Sequence, residues 1–223
     1  MKDLMSVIGY EFHDIDLLNM ALTHSSYTNE QKQNPLTCYE RLEFLGDAVL
    51  QIVSSDYLYR NFPDLPEGRL SKARASLVCE QALNICAQQL GLGEYLRLGK
   101  GEASCGGRNR VSILADVVEA IIGAIYLDSD LDEAKAFIYR TVLKNPEERM
   151  VMKDFKTTLQ ELAQKNVATL RYELTGMTGP DHDRTFEIAV YYNEEFLGSG
   201  IGKSKKAAEQ EAASKALKEL MNR

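Results

Sequence analysis

Glu40-Arg41-Leu42-Glu43-Phe44-Leu45-Gly46-Asp47-Ala48-Val49-Leu50 is the stretch on which the fold and chemistry of this chain turn. At about 100° per residue, positions 40, 43 and 47 fall on one helical stripe, so three carboxylates leave one side of a segment otherwise built from core-type residues. Acids at helical spacing are usually a solvated face, and for Glu40, with Arg41 beside it, that reading weighs equally with a functional one. A second segment, Ser112-Ile113-Leu114-Ala115-Asp116-Val117-Val118-Glu119-Ala120-Ile121-Ile122-Gly123-Ala124-Ile125-Tyr126-Leu127, is apolar nearly all round and reads as buried. Its charges, Asp116 and Glu119, again stand about one turn apart. Buried acids are rare unless paired or bound to metal, so the solvated-face reading is weak here, with a salt bridge to Arg41 or Arg74 as the structural alternative.

If the two segments meet, four carboxylates converge. At an effective dielectric near 20, two of them ~5 Å apart repel by roughly 3 kcal/mol, so the cluster is strongly unfavourable without cations. A hard divalent cation removes that cost. Mg²⁺ takes oxygen ligands, keeps several waters and accepts one or two carboxylates together with substrate phosphate oxygens, which suits in-line hydrolysis of a phosphodiester.

Outward from these segments, apolar residues recur at spacings of three and four from Ile15 to about Leu143, the signature of a helical domain. Breaks are expected at Asn61-Phe62-Pro63-Asp64-Leu65-Pro66-Glu67-Gly68 and from Gly99-Lys100-Gly101 through Gly106-Gly107. Residues 1–146 are therefore read as an all-α domain and 147–153, charged with little to bury, as a linker. From residue 154 to 223 the period changes: a helix to about Gln164, alternating apolar positions at Leu170, Tyr172 and Leu174 and again at Phe186, Ile188, Val190 and Tyr192, then Phe196 to Gly202 and an alanine-rich helix from about Lys205 to Leu220. An α-β-β-β-α order predicts a small α+β domain with both helices on one face of an antiparallel sheet.

Composition narrows the function classes. The 223 residues carry a net charge of −7, and residues 154–223 hold 10 Lys and Arg against 11 Asp and Glu, so any grip on nucleic acid must be local. Cys38, Cys79, Cys86 and Cys105 form no CxxC pair, which signals neither zinc nor a disulfide framework. Acids interrupt the first stretch, MKDLMSVIGYEFHD, and no run approaches the ~18 apolar residues of a membrane span, so a cytoplasmic protein is expected.

The Glu40–Leu50 run resembles the signature of bacterial ribonuclease III. Agreement extends through Ala21-Leu22-Thr23-His24-Ser25-Ser26-Tyr27, Glu67-Gly68-Arg69-Leu70-Ser71 and Gly106-Gly107-Arg108-Asn109-Arg110 into the Asp116/Glu119 helix, and covers almost the whole chain in the family's order. The resemblance implies an endoribonuclease that hydrolyses double-stranded RNA, leaving 5′-phosphates and short 3′ overhangs, and that processes ribosomal RNA precursors and other structured transcripts. It implies Mg²⁺, with Mn²⁺ able to substitute, and no small-molecule cofactor. Asp47 and Glu119 match its catalytic positions; Glu43, Asp116 and Glu119 match its metal ligands; Glu40 and Glu67 match accessory acids. A homodimer is implied too, with Phe44 buried against the partner. Tyr39 departs from the family's usual Asn, and Cys105 from a small hydroxyl residue.

Duplex RNA is recognised by shape, through phosphates and 2′-hydroxyls. Thr157, Gln160 and Glu161, at i, i+3 and i+4, can face a minor groove together. Gly179-Pro180-Asp181-His182 makes a turn between the first two strands, with His182 able to reach a second groove. Ser204 is a candidate N-cap for the last helix, yet Lys203, Lys205 and Lys206 crowd that end, where the helix dipole favours anions; this arrangement costs the isolated helix and favours a bound phosphate. Taken alone, a lysine cluster is as readily a solvated face. Together the three elements, with Gly202-Lys203-Ser204-Lys205-Lys206-Ala207-Ala208-Glu209-Gln210, resemble the double-stranded RNA-binding domain. The rival readings are a non-catalytic RNA-binding protein of the same fold and a metal-dependent phosphohydrolase of small nucleotides. The first would be free to lose acids that this chain keeps, and the second leaves the C-terminal domain without a purpose.

Overall fold

In the computed structural model the two acid-bearing segments are long helices lying against each other, and residues 2–146, 155–180 and 184–221 are described. The chain divides into two compact units, residues 1–146 and 147–223.

The first unit is helical apart from one isolated β-bridge between Thr23 and Arg97. Its α-helices are α1 (Lys2–Ile8), α2 (Ile15–Ala21), α3 (Ser25–Glu30), α4 (Glu40–Asn61), α5 (Glu67–Leu77), α6 (Glu80–Gln89), α7 (Lys100–Ser104), α8 (Val111–Asp128) and α9 (Leu131–Arg140). Local chemistry sets several boundaries. The Asp14 carboxylate accepts the Asp16 N–H and opens α2, and that of Asp130 accepts the Asp132 and Glu133 N–H groups and opens α9. The chain leaves α4 at Phe62 because Pro63 disfavours helical backbone in the residue before it.

Helix α8 is the axis of this unit. Ile113, Val117, Val118, Ile121, Ile122 and Ile125 are buried on it, and α4 is its most extensively packed neighbour. Two glycines permit that approach. A Cβ on Gly46 would stand 1.8 Å from the Glu119 carbonyl oxygen, and one on Gly123 2.3 Å from that of Leu42. The helices thus meet backbone to backbone just where each carries its carboxylates. Among the described residues, no helix is long and apolar enough to cross a membrane.

The expected breaks are narrower than the sequence suggests. Helix α5 already begins at Glu67, with Pro66 as its extended N-cap, whose carbonyl accepts the Arg69 and Leu70 N–H groups at 2.9 and 3.1 Å. Lys100–Ser104 fold as α7 despite their glycine: the Gly99 N–H donates to Ser26 Oγ at 3.0 Å and the Lys100 N–H to Glu30 Oε2 at 2.6 Å, so tertiary hydrogen bonds outweigh the low helix propensity. Helix α1 lies upstream of the expected helical region. It is held by Leu4 and Ile8, one turn apart and both buried.

In the second unit, α10 (Phe155–Lys165) precedes β1 (Leu170–Thr178), β2 (Thr185–Tyr192) and β3 (Glu195–Gly202), and α11 (Lys205–Met221) closes the chain. The sheet is antiparallel in the order β1-β2-β3, pairing Leu170 with Tyr192 and Ile188 with Gly200. Leu159 of α10, Val190 and Leu197 of the sheet, and Ala212, Ala213 and Ala216 of α11 form one core, which puts both helices on the same face. A Cβ on Gly200 would fall 2.2 Å from the Ala208 carbonyl oxygen and 2.3 Å from the Ala212 nitrogen, so the alanine face of α11 lies almost on the backbone of β3.

Candidate metal centre and duplex-binding face

Helix α4 supplies Glu43 and Asp47, and α8 supplies Asp116 and Glu119. Carboxylate oxygens of Glu43, Asp116 and Glu119 lie within 4.8 Å of one another, and all three side chains are partly buried. Asp47 is exposed beside them and accepts a hydrogen bond of 3.2 Å from Gln51 Nε2. The cluster is strongly frustrated. Burial first, then the charges of Asp47, Glu43 and Asp116, push the Glu119 carboxyl up to about 8. Burial likewise raises Glu43, with Asp116, Glu40 and Asp47 adding repulsion. Asp116 is raised by burial too, opposed by a hydrogen bond that the Tyr39 hydroxyl donates to Oδ2 at 3.1 Å.

Among the described residues, no lysine or arginine ranks with the charges that govern Glu43, Asp116 or Glu119. The salt-bridge alternative therefore fails for Arg74, whose guanidinium instead donates to Ser55 Oγ at 2.8 Å. Three oxygens at this spacing, hard, anionic and short of cations, fit a hard divalent ion. Glu43, Asp116 and Glu119 are the residues that could hold one.

The other acids differ. Glu40, at the start of α4, is exposed and reaches the cluster only through its field on Glu43 and Asp116. Glu67 is not among the charges acting on the cluster. It accepts from Ser71 Oγ at 2.7 Å and lines a groove of about 410 Å³ with Ile52, Asp56, Tyr59, Leu70 and Arg74. Phe44, next to Glu43, is 81% exposed in the single chain. Nothing in the sequence pattern signals the Tyr39–Asp116 hydrogen bond, because 77 positions separate its ends. The glycine contact also goes unread there, though a glycine inside each acidic helix is a usable signal of close approach.

In the second unit Thr157, Gln160 and Glu161 share one side of α10; Thr157 is partly buried and the other two are exposed. Ser204 caps α11, its Oγ accepting the Ala207 N–H at 3.1 Å. Lys203, Lys205 and Lys206 are exposed around that end. Between the first two strands, Asp181 and His182 lie outside the described residues.

Comparison with known proteins agrees with both halves. Residues 14–145 match the family described as Ribonuclease-III-like, and residues 155–220 match the double-stranded RNA binding motif. The chain is 48% identical to Ribonuclease 3 of Enterococcus faecalis over 98% of its own length and 96% of that protein's. It is 43% identical to Ribonuclease 3 of Listeria welshimeri over 100% and 98%. The nuclease domain of ribonuclease III from Campylobacter jejuni superposes with a TM-score of 0.60 at 42% identity, covering 65% of this chain and 96% of that one. That Campylobacter domain shows structural flexibility in a region involved in dimer formation. With a nuclease unit bearing a clustered acidic site and a duplex-RNA-binding unit in the same order as these relatives, the chain belongs to the ribonuclease III family.

Proposed function

We propose that this enzyme is a magnesium-dependent endoribonuclease that hydrolyses both strands of duplex RNA as a cytoplasmic homodimer, acting on ribosomal RNA precursors and other structured transcripts. The observation that carries this reading is the convergence of Glu43, Asp116 and Glu119 oxygens within 4.8 Å, with repulsion among the acids dominating over any neutralising lysine or arginine. When bound there, Mg²⁺, or Mn²⁺ in its place, would supply Lewis-acid chemistry for phosphodiester hydrolysis.

The chain's own residues divide the remaining work. Glu43, Asp116 and Glu119 would hold the cation from two helices in close contact at Gly46 and Gly123, so the ligand positions rest on helices and not on a loop. Asp47 and Glu119 are the catalytic acids, and Asp47 is exposed to solvent at the rim of the cluster. Glu40 and Glu67 are accessory acids, Glu67 acting from outside the cluster. Phe44 is the anchor of the dimer: a largely exposed phenyl ring on the helix that carries two of the acids is an apolar surface that a second copy would cover.

Duplex RNA is held by Thr157, Gln160 and Glu161 on α10, by His182, which follows β1 in the sequence, and by Lys203, Lys205 and Lys206 at the start of α11. The backbone N–H groups there add to the lysine charges in attracting phosphate. The test is cleavage of a long RNA duplex with and without Mg²⁺, by the native protein and by Glu119→Ala. Cleavage that requires Mg²⁺ and disappears in Glu119→Ala, while duplex affinity stays within about threefold, supports the reading. Cleavage by Glu119→Ala at near the native rate refutes it.

A further inference from the structure

We propose that Tyr39 is a positioning residue of the metal centre, joining its two helices by orienting Asp116 through a phenol hydrogen bond while its backbone fixes the turn that carries Glu43. This rests on the metal-centre reading above.

Tyr39 is 3% exposed at the point where the chain enters α4. Its N–H donates to the Thr23 carbonyl at 2.8 Å, and its carbonyl accepts the Leu42 and Glu43 N–H groups at 2.8 and 2.9 Å. The residue is thereby fixed on both sides of its own Cα, and the Glu43 amide hangs from it directly. The side chain runs the other way. Its ring packs 5.6 Å from that of His24, and its hydroxyl donates to Asp116 Oδ2 at 3.1 Å. One residue thus makes a bond to each of two cluster acids on different helices.

The hydroxyl is placed to orient as well as to stabilise. A carboxylate offers several lone pairs, and a donor on one oxygen restricts rotation and leaves the other oxygen for a cation. The bond depends on the length of the tyrosine side chain, which carries its hydroxyl from the start of α4 to Asp116 on α8.

Tyr39→Phe removes the hydroxyl and keeps the ring against His24 and every backbone bond. Mn²⁺ is titrated into the full-length protein, its Tyr39→Phe variant and Glu119→Ala by isothermal calorimetry at a temperature where thermal melts show all three folded. The expected result is a Kd weakened about tenfold or more in Tyr39→Phe. The Mg²⁺ concentration giving half-maximal cleavage should rise by the same factor, with the rate at saturating Mg²⁺ within about threefold of native. A Kd within twofold of native overturns the role of Tyr39, even if the melting temperature falls, because that combination marks a purely structural tyrosine. Equal Mn²⁺ binding by native protein and Glu119→Ala overturns the metal centre itself and the proposal with it.

Discussion

Gly46→Ala places a methyl group where the structure has a Glu119 carbonyl oxygen 1.8 Å away and the Gly123 nitrogen 2.9 Å away. An ordinary carbon–oxygen contact needs roughly 3.3 Å, so α4 and α8 must separate locally by about 1.5 Å, and the obstacle is backbone that cannot rotate aside. Because the obstacle is backbone, overpacking stands at the upper end of its usual range, about 3 kcal/mol, and alanine in a helix interior returns up to ~1 kcal/mol of propensity, for a net loss near 2 kcal/mol. For a unit of this size that lowers Tm by about 4–8 °C. The functional cost should be larger than the thermal one. The methyl forces apart the helices that bear Glu43 and Glu119, and a displacement of ~1 Å can cost a hundredfold in rate. Circular-dichroism melts paired with duplex cleavage at saturating Mg²⁺ measure both effects. Gly101→Ala is the control: it sits in α7 with nothing within 4 Å of its added Cβ, so its melt should be unchanged or slightly raised. A Gly46→Ala protein with native Tm and cleavage within threefold would refute the claim that direct backbone contact sets the spacing of the acids.

Two other outcomes follow from the charges. Glu119 ionises at about 8 when folded against an ordinary 4.5, so the folded metal-free protein binds the extra proton; its contribution to stability is full at low pH and is lost as pH rises through 8. Metal-free protein should therefore lose on the order of a few kcal/mol between pH 6 and pH 9, by chemical denaturation, and Glu119→Gln should flatten that slope; a native slope in Glu119→Gln would assign the effect elsewhere. Lys205→Ala combined with Lys206→Ala should weaken duplex binding and reduce the magnitude of the salt slope by about 1 to 2, measured by fluorescence anisotropy across a salt series; an unchanged slope would remove both lysines from phosphate contact.

The acidic cluster was legible because its spacing within each helix is local, and because Asp116 and Glu119 interrupt an otherwise apolar run that had to be buried. That α4 and α8 meet is a tertiary fact, carried by Gly46 and Gly123, whose missing side chains leave no periodic trace. The sheet and its helices were readable from the change of period alone. The limits of α5 and α7 were not: Pro66 starts α5 inside an expected break, and Ser26 and Glu30 reach the start of α7 from 70 or more positions away. Glu40, Glu43 and Asp47 share a stripe, yet Glu40 and Asp47 are exposed and Glu43 is partly buried; helical phase gives direction but not depth.

The seating of α11 on β3 makes the C-terminal unit lopsided in what it can vary. Beneath Ala208 and Ala212 there is no room for so much as an added methyl on Gly200, so the inward side admits little change in size. The same closeness extends to the lysine-bearing end, where a Cβ on Gly202 would stand 2.6 Å from the Ala208 nitrogen, while the exposed outward residues meet no such restriction. Drift in RNA preference should therefore accumulate on one half of this helix while the other stays confined to the smallest residues, and the lysines keep their height above the sheet whichever sequence surrounds them.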